Sequence, residues 1–308
     1  MIKISMIRKY SAMLALNVLA AFLFEACAKE PITLEEPTGM ITMTTKASEV
    51  SFHIGIKAGA ENSSNLTINW GNGKESNITD AERYGGSGTF LFSCNYSGAS
   101  EYRITITGDD IERLSCGNNQ LTALDVSRST ALTYLSCGLN QLTDLDVSRN
   151  TALTELHCGG NQLAALDVSR NTALTILNCM INQLTTLGVG QNTELTILNC
   201  YSNQLTALDV SECIALITLE VCRNQITNLK VNAEAPLRAV CCENNQLTAD
   251  ALNDLFRALP VIPEGTWSSI NYGGNPPNHN PGTFDCDRSI AEKKGWGFDQ
   301  LHGGNAYD

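Results

Sequence analysis

The chain has 308 residues, of which 43% are hydrophobic and 17% are charged, a composition typical of a folded chain rather than a disordered one. Its formal net charge is −12 at pH 7. A surface this acidic repels phosphate backbones, which excludes nucleic acid as a favoured partner.

Residues 1–27 have the pattern of an export signal. Three basic residues precede an apolar stretch from Ser11 to Phe24 that is too short to cross a bilayer. The residues after this stretch fit two cleavage sites. A lipoprotein peptidase would cut before Cys27 and leave its thiol acylated, whereas an ordinary secretory peptidase fits Ala26-Cys27-Ala28. We favour the first, which makes Cys27 the predicted lipidation site and predicts display at the cell envelope, in the outer membrane or at the cell surface. The second predicts a secreted protein.

Residues 28–45 are rich in Pro, Glu and Thr, and we expect them to form a stalk. Residues 46–108 alternate apolar and polar side chains, which predicts short β-strands, and Trp70-Gly71-Asn72-Gly73 has the composition of a hairpin turn. With the late strand at 102–108, this turn resembles PKD-type immunoglobulin-like sandwiches, although that family usually has Asp where Asn72 stands. The resemblance implies a small β-sandwich. Almost no linker follows it, so we expect it to cap the first coil of the repeats.

Residues 109–248 repeat every 21 residues with the pattern L-x-x-L-x-C-x-x-N-Q-L-T-x-L-D-V-S-x-N-T-A. The first Asn of the pattern recurs in one unbroken register at Asn119, Asn140, Asn161, Asn182, Asn203, Asn224 and Asn245. The Cys recurs at Cys116, Cys137, Cys158, Cys179, Cys200 and Cys242, with Val221 in the one remaining position. Equivalent residues therefore stack as coils of a solenoid, with L-x-C strands in a parallel sheet and an Asn ladder at the turns. We expect short extended or 3₁₀ segments on the convex side.

This pattern resembles the leucine-rich-repeat family, and over about 111–248 its length and strand Cys resemble the internalin J type of bacterial surface adhesin. That resemblance implies a surface protein that binds host molecules through its concave face. The chain departs from the type in lacking a C-terminal wall-sorting motif. The predicted fold is mostly β: a leucine-rich-repeat solenoid of the right-handed α/β-type superfold with few helices, preceded by a small β-sandwich.

Residues 249–308 are predicted to form a C-terminal cap. Thr248 has the position of an N-cap for a helix that Pro260 ends. The segment from Trp267 to Asn275 reproduces the strand pattern with bulky residues, which predicts an eighth, atypical coil. We expect Trp267 and Tyr272 to fill the open end of the core and residues 289–296 to fold over it.

The Cys ladder is predicted to be core packing. A 21-residue period gives a line of inward thiols rather than a tetrahedral zinc site, and a free Cys behaves as a small buried hydrophobe. Five other cysteines could pair in an oxidising compartment, with partners left open: Cys94, Cys213, Cys222, Cys241 and Cys286. No catalytic motif surrounds the four histidines. We therefore predict no catalytic residue, no metal site and no cofactor, and a protein that is not an enzyme.

Outward positions on the concave strands depart from the repeat consensus, which makes them candidates for ligand binding. They are Tyr134, His157, Ile176, Asn178, Met180, Ile197, Asn199 and Tyr201. Four of these (Ile176, Ile197, Met180 and Tyr201) are predicted to be neighbours, and exposed apolar clusters with polar rims mark interaction sites. The predicted partner is a protein ligand, with host extracellular proteins among the candidates. A glycan ligand and a purely structural spacer are the alternatives.

Overall fold

The computed structural model describes residues 39–58, 65–83, 88–98, 100–273 and 279–298, all within one compact unit. The predicted export signal, Cys27 and most of the predicted stalk lie outside these residues. Among the residues described, no helix is long and apolar enough to cross a membrane.

The N-terminal module is a small sandwich of two antiparallel sheets. Its strands are β1 (Met40–Thr45), β2 (Glu49–Ile56), β3 (Thr67–Asn69), β4 (Glu75–Asn77), β5 (Glu82–Arg83), β6 (Thr89–Asn95) and β7 (Tyr102–Thr107), with one 3₁₀ turn at Ile78–Asp80. One sheet has the order β4-β3-β7-β1, and the other contains β2, β6 and β5. Aromatic side chains fill the space between them: the Phe52 ring lies 5.4 Å from the Trp70 ring and 6.1 Å from the Phe92 ring.

Two predictions for this module have definite outcomes. The hairpin turn at Trp70–Gly73 is confirmed, since β3 and β4 pair antiparallel across it and Gly71 and Gly73 both have positive φ. The stalk prediction is wrong for Met40–Thr45, which forms β1 and pairs with β7 along its whole length. Ile41 and Met43 alternate with threonines in this segment and are fully buried, so the strand pattern outweighs the stalk-like composition.

The repeats form the predicted solenoid, in which each coil adds one strand to a parallel sheet. These strands are β8 (Ile111–Ser115), β10 (Tyr134–Ser136), β11 (Glu155–His157), β12 (Ile176–Asn178), β13 (Ile197–Asn199), β15 (Thr218–Glu220) and β17 (Ala239–Cys241). Strands pair with residues 21 apart, so Leu177 lies opposite Leu198. The convex side holds short extended segments, as predicted: β9 (Leu121–Asp125), β14 (Ala207–Asp209) and β16 (Asn228–Lys230).

A ladder of buried asparagines joins each coil to the one before it, as predicted. Asn182 accepts a hydrogen bond from the backbone N–H of Leu163 at 3.0 Å, and its amide donates to the carbonyls of Cys158 and Cys179, both at 3.1 Å. Equivalent bonds recur at Asn161 and in the other coils. Because these backbone groups are buried where the chain turns, they need side-chain partners, and the ladder supplies them.

A second asparagine ladder was not foreseen from the sequence. Asn150, Asn171 and Asn192 are fully buried on the far side of the coil. The Asn171 amide donates to the carbonyls of Val147 and Asn150 at 3.0 and 2.9 Å, so it ties the coil to its predecessor in the same way as the first ladder.

The sandwich is continuous with the solenoid, which confirms that it caps the first coil. Strand β2 pairs antiparallel with β8 and so extends the concave sheet, while β1 pairs antiparallel with β9 on the convex side. The first ladder residue, Asn119, accepts a hydrogen bond from the N–H of Ser51 at 2.9 Å and donates to the Ser51 carbonyl at 2.7 Å. The module therefore provides the partners that a preceding coil would otherwise supply.

In the described part of the C-terminal cap there are two helices and one strand: α1 (Ala249–Ala258), α2 (Ser289–Glu292) and β18 (Ser269–Asn271). Thr248 caps α1 as predicted, accepting a hydrogen bond from the N–H of Ala251. Strand β18 pairs parallel with β17, which confirms the eighth strand. Tyr272 is buried against Phe256, with ring centroids 5.3 Å apart.

Two details of the cap differ from the prediction. Trp267 is 59% exposed, and Trp296 (2% exposed) closes the core instead, with its indole N–H donating to the Pro260 carbonyl at 2.9 Å. Asn280 takes the final ladder position, because its side chain accepts from the N–H of Leu247 and donates to the carbonyl of Cys242. Asn275, the predicted ladder residue, lies outside the described residues.

Candidate ligand-binding face and its cysteine pair

The concave face presents three rows of residues that run across the strands. Row one contains Arg113, Tyr134, Glu155, Ile176, Ile197, Thr218 and Ala239. Row two contains Ser115, Ser136, His157, Asn178, Asn199, Glu220 and Cys241. Row three, two residues further on, contains Gly117, Gly138, Gly159, Met180, Tyr201, Cys222 and Glu243. The residue between rows one and two is buried in every strand, which turns rows one and two toward the opposite face. Their side chains are at least partly exposed, except those of Asn199 and Cys241, which are buried.

The four residues predicted to form one apolar cluster occupy two different rows. Ile176 and Ile197 lie directly opposite each other in row one, and both are partly exposed. Met180 and Tyr201 lie in row three. Asn178 and Asn199 stand between these pairs, and each accepts a hydrogen bond from the backbone N–H two residues later, at 3.2 and 3.0 Å. The apolar surface is therefore an isoleucine pair and a Met–Tyr pair separated by a polar row.

An aromatic and charged cluster lies at the N-terminal end of the face. The Arg113 guanidinium sits 3.9 Å from the centre of the Tyr134 ring, in the geometry of a cation–π contact. On its other side Tyr134 lies 5.5 Å from the His157 ring, and His157 is 3.4 Å from the Glu155 carboxylate. Tyr134 and His157, both predicted site residues, are thus brought together by neighbouring strands and held by charged neighbours.

Two apolar residues beside row three add to the exposed surface. The residue before each ladder Asn has positive φ, a conformation that favours Gly or Asn. Leu139 and Ile181 occupy this position and are 65% and 47% exposed, so each combines an unfavourable backbone with apolar surface in water. Such outliers gather at functional sites. Leu139 is not among the predicted site residues, since its exposure depends on the turn geometry rather than on the strand pattern.

The ladder cysteines are free thiols buried in the core, as predicted. Burial raises the pKa of Cys116, Cys158 and Cys200 to about 12, so these thiols stay neutral near pH 7. Neutral buried thiols are poor nucleophiles and poor metal ligands. Of the five other cysteines, Cys94, Cys213 and Cys286 are also free.

Cys222 and Cys241 form a disulfide between two neighbouring coils, with Cα atoms 5.5 Å apart. They lie 19 residues apart, two fewer than the 21-residue repeat, so the disulfide joins non-equivalent positions of adjacent coils. The sequence alone leaves the partners of these cysteines open. Glu220 lies directly opposite Cys241. Burial, together with the negative charge of Glu243, raises the pKa of Glu220 to about 7.

Solved structures similar to this chain are leucine-rich-repeat proteins. The functional domain of InlJ from Listeria monocytogenes, which includes a cysteine ladder, is 32% identical over 48% of this chain and 43% of that chain, with a TM-score of 0.34. An internalin, InlF, from the same organism is 23% identical over 49% and 44%, with a TM-score of 0.40. A leucine-rich-repeat protein of Leptospira interrogans is 20% identical over 60% and 59%, with a TM-score of 0.36.

The coverage of these matches is partial. The chain spans less than two thirds of the length of each of these proteins. No protein-family model and no curated protein matches the sequence. The matches do not support the resemblance of the N-terminal module to PKD-type domains, which stays a prediction. With TM-scores below 0.5, the fold assignment depends on this chain's own strand register, and by that register the chain is a leucine-rich-repeat solenoid with a sandwich at its N-terminal end.

Proposed function

We propose that this chain is a non-catalytic recognition and adhesion protein that binds a protein ligand through the concave face of its repeat sheet. The binding residues in this proposal are the eight predicted ones: Tyr134, His157, Ile176, Asn178, Met180, Ile197, Asn199 and Tyr201. Leu139 and Ile181 extend the surface at its edge. The proposal includes attachment to the cell envelope through a lipid on Cys27, which is supported by the sequence of residues 1–27 alone.

The observation that carries the proposal is the isoleucine pair at the centre of row one. The inward positions of each strand repeat almost the same residues, while the outward rows change from coil to coil. Ile176 and Ile197 occupy adjacent outward positions, where other coils have Arg113, Glu155 or Thr218. A partly exposed aliphatic pair with polar and aromatic neighbours, held on a hydrogen-bonded sheet, has the composition and rigidity of an interface centre.

The test is a binding screen of the purified full chain against extracellular proteins and glycans, with a double variant run beside the wild type. Ile176→Asp with Ile197→Asp places two carboxylates at the centre of the proposed interface. We expect the dissociation constant for a protein ligand to rise at least about 30-fold, since a central contact contributes about 2 kcal/mol or more. Thr185→Asp with Thr206→Asp is the matched control, because these exposed threonines lie on adjacent coils of the convex side. The control should bind like the wild type.

Each other outcome of the screen contradicts the proposal in a different way. A glycan hit that the isoleucine variant leaves unchanged would move binding away from the concave face and favour the glycan alternative. If the chain bound none of the proteins and glycans in the screen, the result would favour a structural spacer. Loss of the far-ultraviolet circular dichroism signal in the isoleucine variant would show that these residues belong to the core. In that case Leu139→Ala, which shortens a side chain that is 65% exposed, and Tyr201→Ala, at a partly exposed position, decide whether the face binds.

A further inference from the structure

Three departures from the repeat pattern meet at one place on the concave face. Glu220 and Cys241 are direct partners on β15 and β17, and Cys222 follows β15 in row three. A carboxylate oxygen of Glu220 and the two sulfur atoms all lie within 4.8 Å of one another. No other set of three potential ligands this close occurs in the described part of the chain.

The position of Cys222 differs by one residue from that of a ladder cysteine. In its coil the ladder position holds Val221, which is fully buried, and the thiol comes one residue later. Because side chains alternate between the two faces of a strand and its continuation, this shift takes the sulfur away from the core line and places it beside row two. No ladder thiol belongs to a set of three potential ligands this close in the described part of the chain.

Among the described residues, no positively charged side chain forms an ion pair with the Glu220 carboxylate. Glu220 is itself partly buried. The group that acts on it most strongly apart from burial is Glu243, a second carboxylate. The nearby Arg223 side chain lies over the Tyr201 ring, 5.6 Å from its centre. A bound cation would offset both the loss of solvent and the repulsion between the two carboxylates.

We propose that Glu220, Cys222 and Cys241 bind a thiophilic divalent cation, Zn²⁺, when the two cysteines are thiols. Zinc accepts two sulfur ligands at about 2.3 Å and a carboxylate oxygen at about 2.0–2.2 Å, and water takes the fourth tetrahedral position. The disulfide is the metal-free oxidised state of the same site. A dithiol reductant supplies two electrons and two protons to the sulfur–sulfur bond and becomes a disulfide itself. Zn²⁺ then replaces one proton on each of the two thiols.

The positions of Cys222 and Cys241 suit metal binding better than those of the ladder thiols. A Cα separation of 5.5 Å lets both cysteines turn toward one ion as well as toward each other. Both are buried, Cys222 fully and Cys241 with 8% exposed, but neither packs into the hydrophobic core cluster that contains the ladder thiols. The site borders the proposed binding face, because Asn199 lies directly opposite Glu220, but it does not include the isoleucine pair in row one. The isoleucine variants therefore leave the three metal ligands unchanged.

The experiment is a Co²⁺ titration of the full chain after reduction with a phosphine, with Zn²⁺ added afterwards as competitor. Co²⁺ bound by thiolates gives a ligand-to-metal charge-transfer absorption in the near ultraviolet. We expect one Co²⁺ per chain, displaced by Zn²⁺, and no binding before reduction. Cys222→Ser and Cys241→Ser should each abolish the absorption. Glu220→Gln keeps both sulfurs and should weaken binding at least about tenfold, since even groups that only support a metal ligand contribute about 10–100-fold.

Cys286→Ser is the matched control, because Cys286 is a partly exposed free cysteine that lies off the ladder and outside the set of three ligands. Its titration should equal that of the wild type. The proposal is overturned if reduced wild-type protein gives no charge-transfer absorption, or if the absorption survives in both cysteine variants. It is also overturned if Glu220→Gln, confirmed as folded by circular dichroism, binds Co²⁺ as tightly as the wild type, because the carboxylate would then not be a ligand.

Discussion

Replacing Asn182 by Ala tests whether the asparagine ladder holds the coils together energetically. The change removes four hydrogen bonds: one accepted from the N–H of Leu163 and three donated to the carbonyls of Cys158, Cys179 and Met180. The three carbonyls keep a partner, because they also accept from Asn161, Asn203 and the N–H of Gly160 respectively. Only the Leu163 N–H is left buried without a partner.

The magnitude of the loss follows from these four bonds. A buried donor left unsatisfied costs about 1–3 kcal/mol, and each bond lost from a carbonyl that keeps another partner costs about 0.5 kcal/mol. We therefore expect Asn182→Ala to lower the free energy of unfolding by about 2.5–4.5 kcal/mol. The assay is urea unfolding followed by circular dichroism, with the slope against urea concentration compared between variants to confirm that the same surface is exposed.

Gln183→Ala is the control for that experiment, since the Gln183 side chain is exposed and follows the ladder residue directly. It should change the free energy of unfolding by less than about 0.5 kcal/mol. A loss below about 1 kcal/mol for Asn182→Ala would refute the reasoning, because it would mean that water or a backbone shift satisfies the Leu163 N–H without the side chain.

Four further substitutions test the core, the cap and the turn. Cys158→Val should cost less than about 1.5 kcal/mol of unfolding free energy, as Val221 fills the same slot, and a larger loss in urea unfolding would show a role beyond packing. Trp296→Ala should cost about 3–5 kcal/mol, and Trp267→Ala less than about 1 kcal/mol; equal losses would contradict the assigned cap. Ile181→Asn suits the positive φ and should not lower the melting temperature; a decrease of several degrees would show that its side chain packs against the fold.

The repeat sequence alone determined the solenoid. A strict 21-residue period stacks each residue on its equivalents, so the parallel register, the buried thiols and the first asparagine ladder follow from the spacing of Leu, Cys and Asn. The capped helix after Thr248 and the hairpin at Trp70–Gly73 also follow from local rules, because a cap or a tight turn is specified by a few adjacent residues.

The features that the sequence left open depend on contacts between segments distant in the chain. Met40–Thr45 has a composition that fits a stalk, and it becomes a strand because β7 and β9 flank it. Asn280 donates to the Cys242 carbonyl and so takes the ladder position that the repeat spacing assigned to Asn275. The Cys222–Cys241 disulfide and the partly buried carboxylate of Glu220 likewise arise where non-equivalent residues of two coils meet. Periodicity fixes which residues are equivalent, and only the packed structure decides which non-equivalent residues touch.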